Sequence, residues 1–179
     1  MAKLQFLISG GGTGGHLFPA LAIGEELRDR TGADIHYVGS RFGIEAKILP
    51  GRSLMYTLLP IRGLQRGTSW SSFGKNLQLP GQLIRSKMKT NALMKKLQPN
   101  AVIGTGGYAS ALPLFVARQQ NIPYFIQEQN SFPGITTKYF AESAEIVFTS
   151  FNEVENFIKK KTFFQPEIQF EKILPMGIA

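Results

Sequence analysis

Five of the six residues at positions 10–15 are glycine, and they directly follow an apolar segment at positions 3–9 (KLQFLIS). Glycine at that density weakens helices and strands. It suits turns in which the backbone bends sharply or approaches another group closely. The chain therefore reads as a strand that stops in glycine, turns, and enters a helix over residues 19–30, with Gly32 as the stop signal. A strand joined through a glycine turn to a helix opens a βαβ unit, whose second strand runs parallel to the first.

The remainder repeats this alternation. Strands are expected over residues 34–38, 54–59, 101–103, 123–127 and 145–149, with a last one at 172–174. Helices are expected over residues 76–97, with an interruption around Pro80-Gly81, and over 109–120, 138–142 and 152–160. The fold class is α/β, a doubly wound parallel sheet covered on both faces. A length of 179 residues suits one well-buried core.

Composition excludes several chemistries. There is no cysteine, so neither disulfides nor a thiolate metal site can form, and His16 and His36 are the only imidazoles. No metal and no cofactor is implied. The first twelve residues do not resemble a secretory leader, and no apolar run approaches the ~20 residues needed to cross a bilayer. A cytoplasmic protein is expected.

The net charge of +8 is unevenly placed. Between Glu45 and Glu128 lie 82 residues with no acidic side chain and eleven basic ones, whereas the rest of the chain holds nine basic and twelve acidic residues. A one-sign block favours an anionic partner. Within it, Trp70, Phe73, Leu77, Leu79, Leu83 and Ile84 are interleaved with Lys75, Arg85, Lys87 and Lys89. That composition suits a surface lying on anionic lipid, although the same apolar residues would also serve as the core face of a helix. No nucleic-acid-binding motif accompanies the charge, so nucleic acid is not an expected partner.

In doubly wound folds ligands sit beyond the carboxyl ends of the strands. Three loops there carry chemistry. The first, Ser9 to His16 (SGGGTGGH), offers glycine backbone and a helix N-terminus, the makings of a phosphate or diphosphate cradle. It also satisfies G-x-G-x-x-G through Gly10, Gly12 and Gly15. The acid that would hold a ribose is absent after Val38, where Gly39-Ser40-Arg41 suits at most a 2′-phosphate, so an NADP-binding oxidoreductase domain is the rival. The second loop, Gly104-Thr105-Gly106-Gly107-Tyr108-Ala109-Ser110, is not required by a dinucleotide fold. Two such loops suggest a ligand with several phosphates, or two phosphorylated substrates. The third, Gln127-Glu128-Gln129-Asn130, places polar groups that need partners if buried.

The segments GGTGGHLFPALAIGEEL, GIEAKILP, IRGLQRG, GTGGYASALP and EQNSFPGITTKYF occur in the order seen in the MurG family, and the resemblance runs from about Leu4 to Phe148. These are N-acetylglucosaminyltransferases that convert lipid I, undecaprenyl-diphospho-MurNAc-pentapeptide, to lipid II with UDP-GlcNAc. The resemblance implies one half of a GT-B glycosyltransferase: residues 1–179 as the Rossmann-like, acceptor-side domain, with the donor-binding second domain outside this chain. It further implies peptidoglycan synthesis and a peripheral position on the cytoplasmic face of the plasma membrane. The alternative is a non-catalytic acceptor-binding subunit of a two-chain GlcNAc transferase. Three departures stand out. Gln127 replaces a histidine and Thr137 an asparagine, and Pro175-Met176-Gly177-Ile178-Ala179 only faintly echoes the family's G-N-P-x-R segment.

The acceptor hydroxyl must lose a proton as it attacks, and an imidazole suits that task near neutrality. By resemblance His16 is the candidate base and Glu128 the alternative. Thr13, Gly14, Gly15 and Asn130 are candidate donor contacts, and Gly106, Gly107 and Tyr108 candidate contacts to the acceptor diphosphate. Glu45 matches a family motif without an evident physical role, and a structural cap is as good an account of it.

Overall fold

The computed structural model describes residues 3–63, 79–159 and 163–164. Seven strands form one sheet: β1 (Gln5–Ser9), β2 (Asp34–Ser40), β3 (Met55–Leu59), β4 (Ala101–Gly104), β5 (Tyr124–Glu128), β6 (Ile146–Thr149) and β7 (Phe163–Phe164). Their spatial order is β3-β2-β1-β4-β5-β6-β7, and every pairing is parallel. Five helices accompany them among the described residues: α1 (Gly14–Thr31), α2 (Glu45–Ile48), α3 (Leu79–Leu97), α4 (Tyr108–Gln119) and α5 (Ile135–Phe140).

Alternation along the central strands sends apolar side chains into two separate cores. Phe6, Ile8, Ile103 and Phe125 face α1 residues such as Leu17, Leu21 and Leu27. Leu7, Val102, Ile126 and Val147 face Met94 of α3 and Leu112, Leu114 and Val116 of α4. Both faces are covered, as a parallel sheet requires.

Several boundaries differ from those expected. Helix α1 begins at Gly14, five residues before Pro19, so His16 lies within its first turn. A proline there forfeits one backbone bond, and packing of Leu17, Ala20 and Leu21 offsets the loss. Helix α3 runs through Pro80-Gly81 without interruption. Pro80 is its second residue, where the missing N–H has no intrahelical partner to lose. Residues 76–78, and the strand expected at 172–174, lie outside the described residues. The segment from Asn152 to Asn156 is a 3-10 turn rather than a longer helix, and α2 was not expected.

His36 lies buried on β2, its Nε2 2.9 Å from Thr57 Oγ1. Burial lowers its pKa below the ordinary 6.5, and Lys96 lowers it further. The folded state thus favours the neutral ring. That contribution is complete above pH 6.5 and is lost as pH falls through the folded value. Stability from urea unfolding should therefore decline from pH 6.5 toward 5. His36→Gln, which keeps a partner for Thr57, should flatten the decline; an unchanged slope would assign it to other groups.

Candidate active site

Strand order reverses between β1 and β4, whose ends Ser9 and Gly104 lie side by side. The loops that follow lead to helices on opposite faces of the sheet, and the crevice between them is the natural ligand position. It holds two of the three loops singled out in the sequence, and the β5–α5 loop closes one side.

His16 is fixed at this crossing. The Thr105 hydroxyl donates to the His16 carbonyl at 2.6 Å, and His16 Nδ1 lies 3.0 Å from the Thr105 carbonyl. A carbonyl only accepts, so Nδ1 carries the proton and Nε2 keeps its lone pair. The Gln129 side-chain amide also touches Nδ1. A protonated Nδ1 requires that amide to present its oxygen, which otherwise lies buried with no partner. Nε2 makes no hydrogen bond among the described residues.

Gly106 and Gly107 form the seat of this ring. Both adopt positive φ, +96° and +75°. A Cβ on Gly106 would stand 2.7 Å from Nδ1, and one on Gly107 3.0 Å from Cδ2. These glycines, expected to touch acceptor, are thus also required by the imidazole. Tyr108 opens α4 and packs on Gly12 and Gly63.

Helix α1 leaves backbone donors outside its ladder at its start. Its first intrahelical bonds run from the His16 and Leu17 N–H groups to the Thr13 carbonyl, so the N–H groups of Thr13, Gly14 and Gly15 precede the ladder. Thr13 and Gly15 are exposed. Gly12 differs: its N–H donates to the Glu45 carboxylate at 3.0 and 3.2 Å, as the Ser40 N–H does at 2.7 Å. Glu45 is fully buried and enclosed by Gly11, Gly39 and Gly43, where any Cβ would strike it. The expected diphosphate cradle is therefore shortened, because a resident carboxylate occupies its middle.

Glu128 is 2% exposed. One oxygen accepts from the Asn130 N–H at 3.1 Å and its side-chain amide at 2.9 Å. The other accepts from the Gly134 N–H at 3.1 Å and the Thr137 hydroxyl at 2.6 Å. Four donors engage both oxygens, so the carboxylate proposed as an alternative base is held by its own loop. Glu128 shapes the loop. Asn130 is exposed, and its amide oxygen remains uncommitted. Thr137 supplies the polar contact at the position where its sequence departs from the MurG pattern. Beside His16 a cavity of about 360 Å³ is bounded by Gly107, Tyr108, Phe132, Ile135 and Lys138.

Residues 6–149 match the glycosyltransferase family 28 N-terminal domain. The chain belongs to this family. Among curated relatives, the UDP-N-acetylglucosamine–N-acetylmuramyl-(pentapeptide) pyrophosphoryl-undecaprenol N-acetylglucosamine transferase of Chlorobaculum tepidum is 41% identical over 160 residues, covering 89% of this chain and 44% of the relative. The same-named protein of Latilactobacillus sakei is 38% identical over 151 residues, covering 84% and 42%. The chain thus spans less than half the length of these relatives. Among solved structures, MurG of Acinetobacter baumannii aligns with TM-score 0.74 at 24% identity, over 94% of this chain and 48% of that one. A UDP-N-acetylglucosamine 2-epimerase of Rickettsia bellii aligns with TM-score 0.59 at 17% identity, over 92% and 44%. The fold is half of a GT-B glycosyltransferase, and the family assignment sets aside the NADP-dependent oxidoreductase.

The family 28 domain turns α3 in an uncommon sense. Its buried residues are Ser86, Thr90 and Met94, while Leu83, Ile84 and Met88 are 49%, 63% and 66% exposed. Leu83 and Ile84 therefore lie on the outer side of α3 and not on its core face. Trp70, Phe73, Lys75 and Leu77 lie outside the described residues. Among the described residues no helix is long and apolar enough to span a membrane, and no cluster of acidic or imidazole groups suits a metal ion.

The Glu128 network yields a graded test. Thr137→Val removes a charge-assisted bond to a buried carboxylate and should cost roughly 1.5–3 kcal/mol in urea unfolding. Thr137→Ser should retain most of it. A larger loss in Thr137→Ser than in Thr137→Val would assign the effect to the methyl group.

Proposed function

We propose that this chain is the acceptor- and membrane-binding half of an inverting transferase that moves GlcNAc from UDP-GlcNAc to lipid I, forming lipid II in peptidoglycan synthesis. The observation that supports this most is His16, with Nδ1 committed to Thr105 and Nε2 uncommitted, set where two helices begin. In the step proposed, the MurNAc 4-hydroxyl attacks the anomeric carbon from the face opposite UDP. The new C–O bond forms as the bond to the diphosphate breaks, the hydroxyl proton passes to Nε2, and the bonding pair leaves with UDP. The Thr105 carbonyl stabilises the resulting imidazolium. N–H groups of Thr13, Gly14 and Gly15, with the positive end of α1, receive charge developing on the leaving diphosphate. Gly106, Gly107 and Tyr108 border the acceptor, and Asn130 contacts the donor.

A donor-binding half completes the site, consistent with relatives about twice as long. It is the second partner of this domain, joined in one polypeptide or supplied as a subunit. With that half present, His16→Ala should lower kcat roughly 10²-fold or more while donor KM stays near wild type. Unchanged kcat with raised acceptor KM would make His16 a positioning residue.

The outer faces of α3, α4 and α5 complete the proposal. Lys87 Nζ lies 5.1 Å from the Phe115 ring centroid, and Arg118 6.0 Å from Phe115 and 5.2 Å from Tyr139. With exposed Leu83, Ile84 and Met88 beside Arg85 and Lys89, this is an apolar surface rimmed by cations, fit to lie on the anionic cytoplasmic face of a plasma membrane. Replacing Arg85, Lys87 and Lys89 with glutamine should weaken sedimentation with phosphatidylglycerol vesicles by about 100-fold at low salt, at ~1 kcal/mol per charge. Equal binding to neutral vesicles would sink the electrostatic dock.

A further inference from the structure

Gln129, in the β5–α5 loop, has no part in the step proposed above. It is half-buried, and its side-chain amide touches His16 Nδ1. The Thr105 carbonyl faces the same nitrogen at 3.0 Å. With its own nitrogen turned toward the ring, the amide cannot agree with both neighbours. A protonated Nδ1 would then oppose an amide N–H, and an unprotonated one would oppose the Thr105 carbonyl. With its oxygen turned inward, one Nδ1–H is shared between two acceptors and no like groups meet. That orientation also gives a partner to an amide oxygen otherwise buried without one.

The loop that carries Gln129 is tied down on both sides of it. The Glu128 carboxylate accepts from the Asn130 and Gly134 N–H groups, each at 3.1 Å. The Thr136 hydroxyl donates to the Gly107 carbonyl at 3.2 Å, which joins the start of α5 to the glycine seat of the imidazole. We infer that Gln129 is a positioning residue that sets the His16 tautomer, keeping the proton on Nδ1 and the lone pair on Nε2. The inference rests on His16 as the proton acceptor proposed above. Both acceptors at Nδ1 are neutral dipoles. They orient the ring and steady the imidazolium once it forms. A carboxylate in the same place would favour the doubly protonated ring before any hydroxyl arrived. An amide therefore suits a base that must be neutral when its substrate binds.

Two measurements test the role. In the nitrogen-15 spectrum of the 179-residue chain in mildly alkaline buffer, the His16 signals are those lost in His16→Ala. They should show a protonated Nδ1 and an unprotonated Nε2, and Gln129→Leu should move the ring toward a mixture of tautomers. A wild-type ring protonated at Nε2, or a leucine variant with wild-type signals, overturns the inference. With the donor-binding half present, Gln129→Leu should lower kcat about tenfold or more at every pH while donor KM holds. Gln129→Glu keeps an acceptor for Nδ1–H but favours the charged ring. Its kcat should be low in acid and recover toward wild type as pH rises. Parallel losses in both variants at every pH would reflect packing alone and overturn the tautomer role. The spectrum reads no transfer, so its failure is distinct from a failure of the His16→Ala rate test.

Discussion

Two reciprocal hydrogen bonds join residues 89 positions apart: the Thr105 hydroxyl to the His16 carbonyl, and His16 Nδ1 to the Thr105 carbonyl. They fasten the start of α1 to the end of β4, where the two loops of the crevice cross. The Thr105 N–H, in turn, donates to the Ser9 carbonyl at 2.9 Å, so the β1–β4 ladder continues directly into this clasp. Gly10 must be glycine because a Cβ would strike the Thr105 hydroxyl. The imidazole therefore inherits the rigidity of the two most central strands. An imidazole held this way has little orientational freedom left to lose.

Around that clasp, two buried carboxylates work as internal anions. Neither Glu45 nor Glu128 has a cationic partner among the described residues; each is satisfied by donors from loop backbone, with hydroxyl and amide help at Glu128. An unpaired buried charge is tolerable only when such donors converge on it. Glu45 gives the glycine-rich loop a second reason for its composition. Gly11, Gly39 and Gly43 make room for a carboxylate, not only for a ligand. With Gly12 engaged internally, the N–H groups outside the helical ladder begin at Thr13, at the mouth of α1.

The sheet and its helices were legible because buried parallel strands are short apolar runs ended by glycine or polar turns. What escaped was set by tertiary contact. Pro19 looks like a first helical residue, yet α1 starts at Gly14 because Leu17 and Ala20 pack into the core. The cage around Glu45 draws on residues 11, 39 and 43, in loops that meet only after β1 and β2 pair. On α3, hydropathy cannot tell which stripe faces in. Ser86, Thr90 and Met94 do so at four-residue spacing, and Thr90 satisfies its hydroxyl on the Ser86 carbonyl at 2.8 Å. His16 and Glu128 were both visible as ionisable groups at strand ends. Only their partners separate an uncommitted nitrogen from a saturated carboxylate.

Parallel strands put all their carboxyl ends on one rim, and every helix that follows must start there and run back down the sheet. Helix α3 obeys this. Gly81, Ile84 and Arg85 lie near Pro60 at the rim, while Lys95 and Lys96 close the far end. The rim is also where His16 and the mouth of α1 stand. A fold that buries a polar stripe and turns an apolar one outward thereby connects an exposed apolar surface to a polar crevice along a single helix.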